Sequence, residues 1–465
     1  MSPRRHSRRL DSLNWSSSSR VTAQRRPLAP RPQIADALAL AAGVGLGVVM
    51  ALVIAGETAG SLAGPGGWWT AAGRMFGFVG AYAMLVMVVL IARVPWLERA
   101  VGQDRLVRWH RTIGGWPLGL IGLHIVFVTI GYAATTRSGF WHQFWQFVTQ
   151  YPDMLAALAG FVLLVMAGVS SIRQARRRVR YETWWVIHLY MYLGLTLAFF
   201  HQVVTGASFL HHPLTRFVWT AMWVATAALV LVCRVGLAFV RNVRHRLRVA
   251  AVVNEAPGVY SVICRGRHID RLAVNGGQFF QWRFMSTGLW WHAHPYSISA
   301  LPRAPYVRVT IKGLGDQSRA VAHLRVGTRV IVEGPYGTFT HHQARAPRVV
   351  LIAAGVGVTP VRSLLEDLAV SSDVTVIVRA SRPDDVLHRD ELVQLIARRD
   401  GRLVELVGSR DDVRMDASTL SEYFPDPDHV DVFICGPDGF VNNVLDITSQ
   451  LGVPAAHIHR ESFAF

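Results

Sequence analysis

Hydrophobic residues are concentrated in the first half of the chain, where they form six long apolar runs. The runs cover residues 34–55, 72–94, 113–133, 154–172, 184–204 and 214–240. Each is close to the length of about 20 residues that a helix needs to cross a bilayer. The pattern predicts a six-helix transmembrane domain at residues 34–241, and the Arg-, Ser- and Pro-rich residues 1–33 are expected to form a disordered basic tail.

The hydrophobic period changes after residue 240. Short alternating runs separated by turn residues predict strands at residues 249–254, 260–264, 279–284, 296–299, 307–312 and 329–333. Six short strands at this spacing are typical of a small antiparallel β-barrel. We therefore expect a β-barrel domain at residues 242–346.

Strands and helices alternate in the last part of the chain. Strands are predicted at residues 349–353, 374–379, 403–407, 430–435 and 457–460, and helices at residues 360–370, 390–399 and 440–451. This alternation is typical of a parallel, doubly wound α/β domain. The expected fold class is thus a multidomain membrane protein: a six-helix bundle, an antiparallel β-barrel domain, and a doubly wound α/β nucleotide-binding domain at residues 347–465.

The net charge of +18 is distributed in a way that orients the spans. Arginines cluster between the second and third runs, between the fourth and fifth runs, and after the sixth run, whereas the alternate connections carry little charge. Basic connections normally stay in the cytoplasm. The chain is therefore expected to be a multi-pass protein of the plasma (cytoplasmic) membrane with both termini in the cytosol. Membrane lipid, and not nucleic acid, is the expected partner of its positive charge.

Cysteine usage excludes two classes of protein. The three cysteines, Cys233, Cys264 and Cys435, are scattered and form no CxxC pair. Neither a thiolate iron–sulfur site nor a disulfide framework is expected from this spacing.

Four histidines lie in or beside two of the apolar runs: His110 and His124 in the third, His188 and His201 in the fifth. Ionisable groups at membrane depth are costly and usually functional, and imidazole is a common haem ligand. The third and fifth helices run parallel, and each histidine pair spans about 20 Å of helix. The pattern predicts an inner bis-histidine haem on His110 and His188 and an outer one on His124 and His201. The alternative is four interior histidines whose polar atoms are satisfied by hydrogen bonds.

Helical geometry adds a condition to this prediction. His201 follows His188 by 13 positions, which leaves the two side chains about 140° apart on an ideal helix. A kink or local overwinding, near Gly194, is therefore expected in the fifth helix.

A glycine-rich turn follows the first strand of the predicted α/β domain. Gly355 and Gly357 would let the backbone approach a pyrophosphate, Thr359 can cap the next helix, and Pro360 suits its first turn. A helix N-terminus at this position suits phosphate groups. A tight connection without a ligand is the alternative.

Taken together, these motifs resemble those of the ferric reductase/NADPH oxidase superfamily, whose cytosolic half is similar to ferredoxin–NADP reductases. The paired histidines, the segment His294-Pro295-Tyr296-Ser297 and the loop from Lys312 to Ser318 carry the resemblance over roughly residues 72–465. It implies that FAD contacts His294, Pro295, Tyr296, Ser297, Lys312, Gly315 and Ser318. It implies that the nicotinamide nucleotide contacts Gly355, Gly357, Thr359, Pro360, Gly436 and Pro437, with Arg379, Ser381 and Arg382 around a 2′-phosphate.

The resemblance also implies two residues at the reacting centre and an activity. Cys435 would lie near the nicotinamide and the terminal Phe465 would cover the flavin ring. The implied activity is a transmembrane oxidoreductase that passes electrons from cytosolic NADPH or NADH through FAD and two b-type haems. The acceptor would be a small molecule on the outer face, a ferric chelate or O2. Two alternatives stay open: a membrane-anchored flavin reductase with a cytosolic or quinone acceptor, and a non-enzymatic membrane haem protein.

Overall fold

The computed structural model describes residues 32–176, 179, 181–210, 212–399, 401–409 and 411–462. The predicted N-terminal tail lies almost entirely outside this range, and so does Phe465. The chain divides into two compact units. The first is Pro32–Val235, and the described part of the second begins at Gly236.

The first unit is helical. Its helices are α1 Pro32–Ala55, α2 Ala59–Ala63, α3 Gly67–Leu90, α4 Pro95–Val101, α5 Gln103–Ile113, α6 Gly115–Thr136, α7 Phe140–Gln150, α8 Met154–Ser171, α9 Arg173–Arg176, α10 Tyr181–Thr205, α11 Ala207–Leu210 and α12 Pro213–Val230. Six helical stretches are long and apolar enough to span a membrane: Gln33–Ala55, Gly67–Leu90, Arg105–Thr136, Met154–Ser171, Thr183–Thr205 and Pro213–His245. The predicted set of six spans is confirmed.

The bounds of the spans differ from the prediction in informative places. The third span joins α5 to α6, so His110 lies on the spanning helix and not before it. The connection between the third and fourth spans contains α7, which was predicted as a loop. Its apolar side chains Phe147 and Val148 are buried, and this amphipathic pattern stabilises a helix where hydropathy alone indicates a connection. A π-helical segment at Leu231–Gly236 interrupts the sixth span.

The fifth span contains no 3-10 or π segment, and a bend within it stays a prediction. Helix α10 is α-helical from Tyr181 to Thr205 without a break. Gly194 lies where α10 crosses α8, and a Cβ atom on Gly160 would come within 2.6 Å of the Gly194 carbonyl oxygen. The glycine at this position thus permits close packing between the helices.

The second unit begins with α13 Leu237–His245 and continues as two antiparallel sheets. Their strands are β1 Arg248–Ala256, β2 Val259–Arg265, β3 Phe279–Phe284, β4 His294–Ser297, β5 Tyr306–Lys312 and β6 Val330–Tyr336, in the orders β1-β2-β5 and β4-β3-β6. Single bridges at Arg248–Arg329 and Ile298–Val309 connect the sheets. Aromatic side chains on alternate residues of β3 fill the space between them: Phe280, Trp282 and Phe284. The short helix α14 Asp316–Ala320 follows β5.

The final part is a five-stranded parallel sheet in the order β11-β10-β7-β8-β9. Its strands are β7 Arg348–Ala354, β8 Asp373–Ala380, β9 Arg402–Val407, β10 Val430–Gly436 and β11 Ile458–Ser462; its helices are α15 Val358–Asp367, α16 Arg389–Ile396, α17 Ala417–Leu420 and α18 Asp438–Gln450. The central strands are buried apolar runs, as both faces of a parallel sheet require. The predicted fold class is confirmed.

Buried ion pairs join the barrel to the α/β domain. Arg308 on β5 donates hydrogen bonds of 2.6 and 2.8 Å to the two carboxylate oxygens of Glu391 on α16. Arg362 on α15 is fully buried and lies 2.7 Å from the same carboxylate. Burial alone would raise the pKa of Glu391, but the hydrogen bonds from Arg308 and the charge of Arg362 outweigh it and lower that pKa to about 2.

Candidate functional site

Two of the four intramembrane histidines face each other near one end of their helices. The ring centroids of His110 and His188 are 6.2 Å apart, with an interplanar angle of 77°. Two imidazoles that share one metal ion through bonds of about 2 Å need a separation of this size. The structure therefore brings the predicted inner pair together at a separation that suits two ligands of one metal ion.

Hydrogen bonds identify the nitrogen that each of these rings leaves available. The Nδ1 atom of His110 is 3.2 Å from the Met87 carbonyl oxygen, which can only accept, so Nδ1 carries the proton. The Nδ1 atom of His188 is 3.2 Å from Ser171 Oγ. The Ser171 hydroxyl already donates to the Ala167 carbonyl oxygen at 2.7 Å, so it accepts from His188. In both rings the Nε2 lone pair remains available for a metal.

The orientation of His188 is supported by further contacts. The Trp184 ring stacks on His188 at a centroid distance of 5.2 Å, and Trp184 Nε1 donates to Ser171 Oγ at 3.1 Å. The Arg176 guanidinium lies 4.7 Å from the centroid of the Trp184 ring. Contacts of this kind orient a metal-binding imidazole. Trp184 was not among the site residues predicted from the sequence.

The outer pair lies around a single cavity. His124 and His201 both line it, together with the apolar side chains Phe78, Ile121, Phe161, Leu164, Leu195 and Trp223. His124 Nδ1 donates to the Gly73 carbonyl oxygen at 2.8 Å. A Cβ atom on Gly77 would lie 2.7 Å from the same nitrogen. The two glycines let α3 approach His124, and their GxxxG spacing in an apolar segment is the sequence signal that could have identified this contact.

His201 differs from the other three histidines. Its Nδ1 atom is buried and makes no hydrogen bond of ordinary geometry among the described residues. No hydrogen bond therefore selects which of its two ring nitrogens would be available to a bound group. His201 is also the histidine that an ideal helix would place about 140° away from His188.

These observations test whether the residues fit haem. Each pair provides two imidazoles, the number of protein ligands that a bis-histidine haem would take. A metal ion bound without a macrocycle would require at least three His, Cys, Asp or Glu side chains close together. Within the described ranges no such group of three is found. The histidine pairs and the apolar cavity therefore fit haem.

A cleft lies between the barrel and the parallel sheet of the second unit. It brings together several of the residues predicted to bind cofactor: Lys312, Gly355, Arg379, Ser381, Arg382 and Pro437. Barrel residues Ala256 and Val259 form one side and Val356 of the glycine turn forms part of the other. An anionic, elongated ligand suits this combination of arginines, a lysine and a turn of exposed backbone.

The glycine turn itself divides into an exposed and a buried half. Gly355 has φ +56° and open space around its Cα, whereas a Cβ atom on Gly357 would clash with the carbonyl oxygen of Cys435. Thr359 lies inside α15, which begins at Val358, and its Oγ1 donates to the Val356 carbonyl oxygen at 2.8 Å. The predicted capping role of Thr359 is therefore wrong, since Gly357 occupies the cap position. Thr359 and Pro360 are buried and do not reach the cleft surface.

The basic residues at the cleft have different roles. The Arg379 guanidinium donates to the backbone carbonyl oxygens of Leu406 and Gly408 at 3.0 Å each, so it holds the loop after β9. Arg382 and Ser381 are exposed, and Arg382 is paired with Asp385 at 3.2 Å. Hydrogen bonding to Asp385 raises the pKa of Arg382, which keeps it charged. A 2′-phosphate would therefore meet Arg382 and Ser381 before Arg379.

The residues predicted to contact FAD lie on two parts of the barrel. On β4, the rings of His294 and Tyr296 stack at 5.8 Å, Ser297 is buried, and Pro295 pairs with β3. Burial raises the pKa of the Tyr296 phenol, so it stays neutral. After β5, the Gly315 N–H donates to Ser318 Oγ at 2.9 Å, and that hydroxyl donates back to the Gly315 carbonyl oxygen at 3.0 Å. Ser318 thus closes its own turn, which leaves Lys312 as the exposed cation of the loop.

Cys435 and Gly436 end the central strand β10. Cys435 is fully buried, and burial, followed by the charge of Glu461, raises the pKa of its thiol well above the ordinary value. It is therefore a neutral, packed side chain and, among the described residues, it is not part of the cleft lining. A Cβ atom on Gly436 would lie 2.8 Å from the Phe440 ring, so this glycine permits packing of α18 on the strand.

Comparison with known proteins identifies two domains. Residues 76–199 match the family described as ferric reductase like transmembrane component, and residues 351–446 match the oxidoreductase NAD-binding domain. These matches lie in the same order as the domains predicted from the histidine pairs and the cofactor motifs, and they confirm the predicted architecture. The chain thus contains one region similar to the ferric reductase transmembrane family, within a set of six helices long enough to span a membrane, and one region similar to the NAD-binding family.

Individual relatives match part of the chain. A Mycobacterium tuberculosis protein named NADPH oxidoreductase is 29% identical over 184 residues, which are 37% of this chain and 48% of that protein. A flavohemoprotein from Vibrio cholerae serotype O1 is 33% identical over 181 residues, which are 36% of this chain and 45% of that protein. The chain spans about half the length of these two curated relatives. Among solved structures, the flavohem-like FAD/NAD binding domain of nitric oxide dioxygenase from Vibrio cholerae O1 biovar El Tor is 27% identical, with a TM-score of 0.41, 47% of this chain covered and 98% of that chain.

Proposed function

We propose that the chain is a transmembrane oxidoreductase, because it combines a ferric reductase-like transmembrane domain with an oxidoreductase NAD-binding domain. This combination is the ferric reductase/NADPH oxidase architecture. It carries electrons from cytosolic NAD(P)H through FAD and two b-type haems to an acceptor on the outer face, a ferric chelate or O2. The observation that carries this proposal is the pair of histidine sites on the same two helices. One pair is 6.2 Å apart and the other surrounds one apolar cavity.

The direction of transfer follows from the charge distribution. Arginines cluster on the connections after the second, fourth and sixth spans, and such connections stay in the cytoplasm. This orientation puts His110 and His188 toward the cytosol, His124 and His201 toward the exterior, and the NAD-binding domain in the cytosol. Moving an electron outward toward a positive exterior releases about 2.3 kcal/mol per 100 mV, which adds to the driving force from the potential difference between donor and acceptor.

The residues of the second unit have separate tasks in this proposal. Flavin, when bound, supplies the conversion of two-electron nicotinamide chemistry into single-electron transfer. Tyr296 offers an aromatic plane and Ser297 a hydroxyl at the end of β4, while Lys312 offers a positive charge to a diphosphate. Gly355 exposes the backbone of the nucleotide turn. Arg382 and Ser381 favour a donor with a 2′-phosphate, NADPH, over NADH.

Haem spectroscopy on the purified full-length chain tests the proposal. The reduced-minus-oxidised spectrum is expected to show bis-histidine haem, and His188→Ala and His201→Ala are each expected to remove about half of it. His142→Ala is the matched control, since His142 lies exposed on α7 in an outer connection. A wild-type spectrum without bis-histidine haem would refute the proposal.

Anaerobic reduction separates the alternatives. Addition of NADPH or NADH is expected to reduce flavin first and haem afterwards, with NADPH the better donor. If an acceptor still oxidises the bound flavin after all four histidines are replaced, the result would instead support a membrane-anchored flavin reductase. Haem without flavin and without NAD(P)H oxidation would support a non-enzymatic haem protein.

A further inference from the structure

The last part of the sixth span is fastened to the barrel. Helix α13 ends this span at His245. The side-chain amide of Asn242 donates to the Val332 carbonyl oxygen and its oxygen accepts from the Val332 N–H, both at 2.9 Å. One turn later the Arg267 N–H donates to the His245 carbonyl oxygen at 2.7 Å. The side chain of Asn242 thus replaces a neighbouring strand at the edge of β6 and ties the barrel to the end of the membrane helix.

Three connections of the barrel meet at this point. They are residues 246–248, 285–292 and 325–329, and backbone hydrogen bonds of 2.9 Å hold them together: Val330 to Leu247, Val249 to Thr328, and Met285 to Arg329. Leu247 and Val249 lie within four residues of His245, and Arg329 forms a β-bridge with Arg248. The three connections therefore lie close to the residue at which the chain leaves the helix.

Large apolar side chains of these connections are exposed. Trp290 and Trp291 are 48% and 52% exposed, Val326 is 70% exposed and Met285 is 39% exposed. Two adjacent exposed tryptophans on a soluble domain are unusual, because each leaves a large apolar area in water. We call the surface formed by residues 244–248, 285–292 and 325–329 the juxtamembrane face.

The same face is strongly basic. Its exposed arginines are Arg244, Arg246, Arg248, Arg325 and Arg329. In the described part of the chain none of the five forms an ion pair with a carboxylate; Arg246 and Arg248 donate to the backbone carbonyl oxygens of Val243 and Gly327. On the nearby segment that begins at Arg267, Asp270 is 3.9 Å from Arg271. The face therefore combines exposed indole rings with arginine charge that no carboxylate among the described residues neutralises.

We propose that the juxtamembrane face docks on the anionic phospholipid headgroups of the membrane that the sixth span crosses. Tryptophan prefers the headgroup region, where its ring is in apolar surroundings and its N–H is hydrated. Arginines near a membrane surface are attracted to anionic lipid. Arg248 follows His245 by three positions, so the chain places it within about 11 Å of the end of the span. A bilayer is therefore within reach of this face, which favours lipid over a soluble protein partner.

Docking would give the barrel a fixed height and tilt on the bilayer. This inference depends on the sixth span and on the barrel, and it stands whether or not haem or flavin is bound.

Hydrogen exchange on the full-length chain in nanodiscs tests the docking. The discs contain phosphatidylcholine alone or with one third phosphatidylglycerol. Amides of residues 285–292 are expected to exchange at least about tenfold more slowly in the anionic discs, with about fivefold lost per arginine removed. Salt at about 1 M, where the Debye length is about 3 Å, is expected to abolish most of the difference. Trp290→Ser with Trp291→Ser, and Arg246→Glu with Arg248→Glu, are each expected to abolish it as well.

Matched controls lie on the α/β domain. Val370→Ser and Arg398→Glu replace an exposed valine and an exposed arginine far along the chain from the face, and they are expected to leave the lipid dependence unchanged. Exchange of strand β7 reports on folding in every variant. Equal exchange in both kinds of disc overturns the proposal, because it means that the face is either free in solution or covered by protein. A lipid dependence that the tryptophan and arginine variants retain overturns it too.

Discussion

Replacement of Glu391 with Gln tests the ion pairs that join the barrel to the α/β domain. The carboxylate accepts two hydrogen bonds from Arg308 and lies 2.7 Å from Arg362. Both arginines are almost completely buried, with 3% and 0% of their side chains exposed. The neutral amide cannot compensate either charge, although Arg362 keeps its contact with Glu366.

The size of the effect follows from the pKa of Glu391. An ordinary glutamate has a pKa of about 4.3, and a decrease to about 2 corresponds to about 3 kcal/mol of stability at neutral pH. Removal of one member of a buried ion pair costs about 3–5 kcal/mol, which agrees with this value. For a domain of this size, 1 kcal/mol changes the melting temperature by about 2–4 °C. Glu391→Gln is therefore expected to lower the melting temperature of the second unit by about 6–12 °C.

The pH dependence has a definite sign. Because the pKa of Glu391 is lower in the folded state than in the unfolded chain, its contribution is complete above about pH 4.3 and is lost as the pH falls through about 2. About half remains near pH 3. Scanning calorimetry of the full-length chain in detergent is expected to show a large difference between variant and wild type at pH 7 and a clearly smaller one near pH 3.

Asp390→Asn is the matched control for this experiment. Asp390 precedes Glu391 on α16 and is exposed, so its replacement is expected to change stability by no more than about 0.5 kcal/mol. If Glu391→Gln melts with the wild type at pH 7, or if the difference does not shrink toward pH 3, the buried pairs do not stabilise the contact between the domains.

Three further predictions concern the cofactor sites. Gly77→Ala places a methyl group against the ring of His124. It is therefore expected to lower the occupancy of the haem site at His124 by about half, measured by absorbance of the purified protein. Gly357→Ala forces the glycine turn away from Cys435 and is expected to cost about 1–3 kcal/mol in calorimetry, as overpacking does. Arg382→Ala removes an exposed cation at the cleft and is expected to raise the KM for NADPH about tenfold or more while the KM for NADH changes less than twofold, consistent with a charge-assisted contact of about 1.5–3 kcal/mol.

Each of these has a neighbouring control. Gly119→Ala adds a methyl group to the same helix as His124 but into open space, and haem content should stay unchanged. Gly355→Ala meets no atoms but has a positive φ, so its cost should be smaller, about 1 kcal/mol. Arg398→Ala, an exposed arginine on the α/β domain, should leave both KM values unchanged. Equal effects of a variant and its control would contradict the corresponding prediction.

The amino-acid sequence by itself determined the architecture of this protein. Six apolar runs, a change to alternating strands and a final strand–helix alternation predicted three kinds of structure, because hydrophobic period is a local property of each element. Charge on the connections likewise needed no tertiary structure. The four histidines were visible for the same reason, since an ionisable residue inside an apolar run is conspicuous.

The tertiary structure decided which atoms meet. Hydrogen-bond partners on other elements selected the nitrogen that His110 and His188 present, and the approach of α3 at Gly73 and Gly77 positioned His124. Arg379 was predicted to hold a phosphate, but backbone carbonyls from the next strand take its guanidinium. The juxtamembrane face assembles from segments that are about 40 positions apart in sequence. Such contacts depend on long-range packing and on a competition between partners, and no periodic pattern in the sequence records either of them.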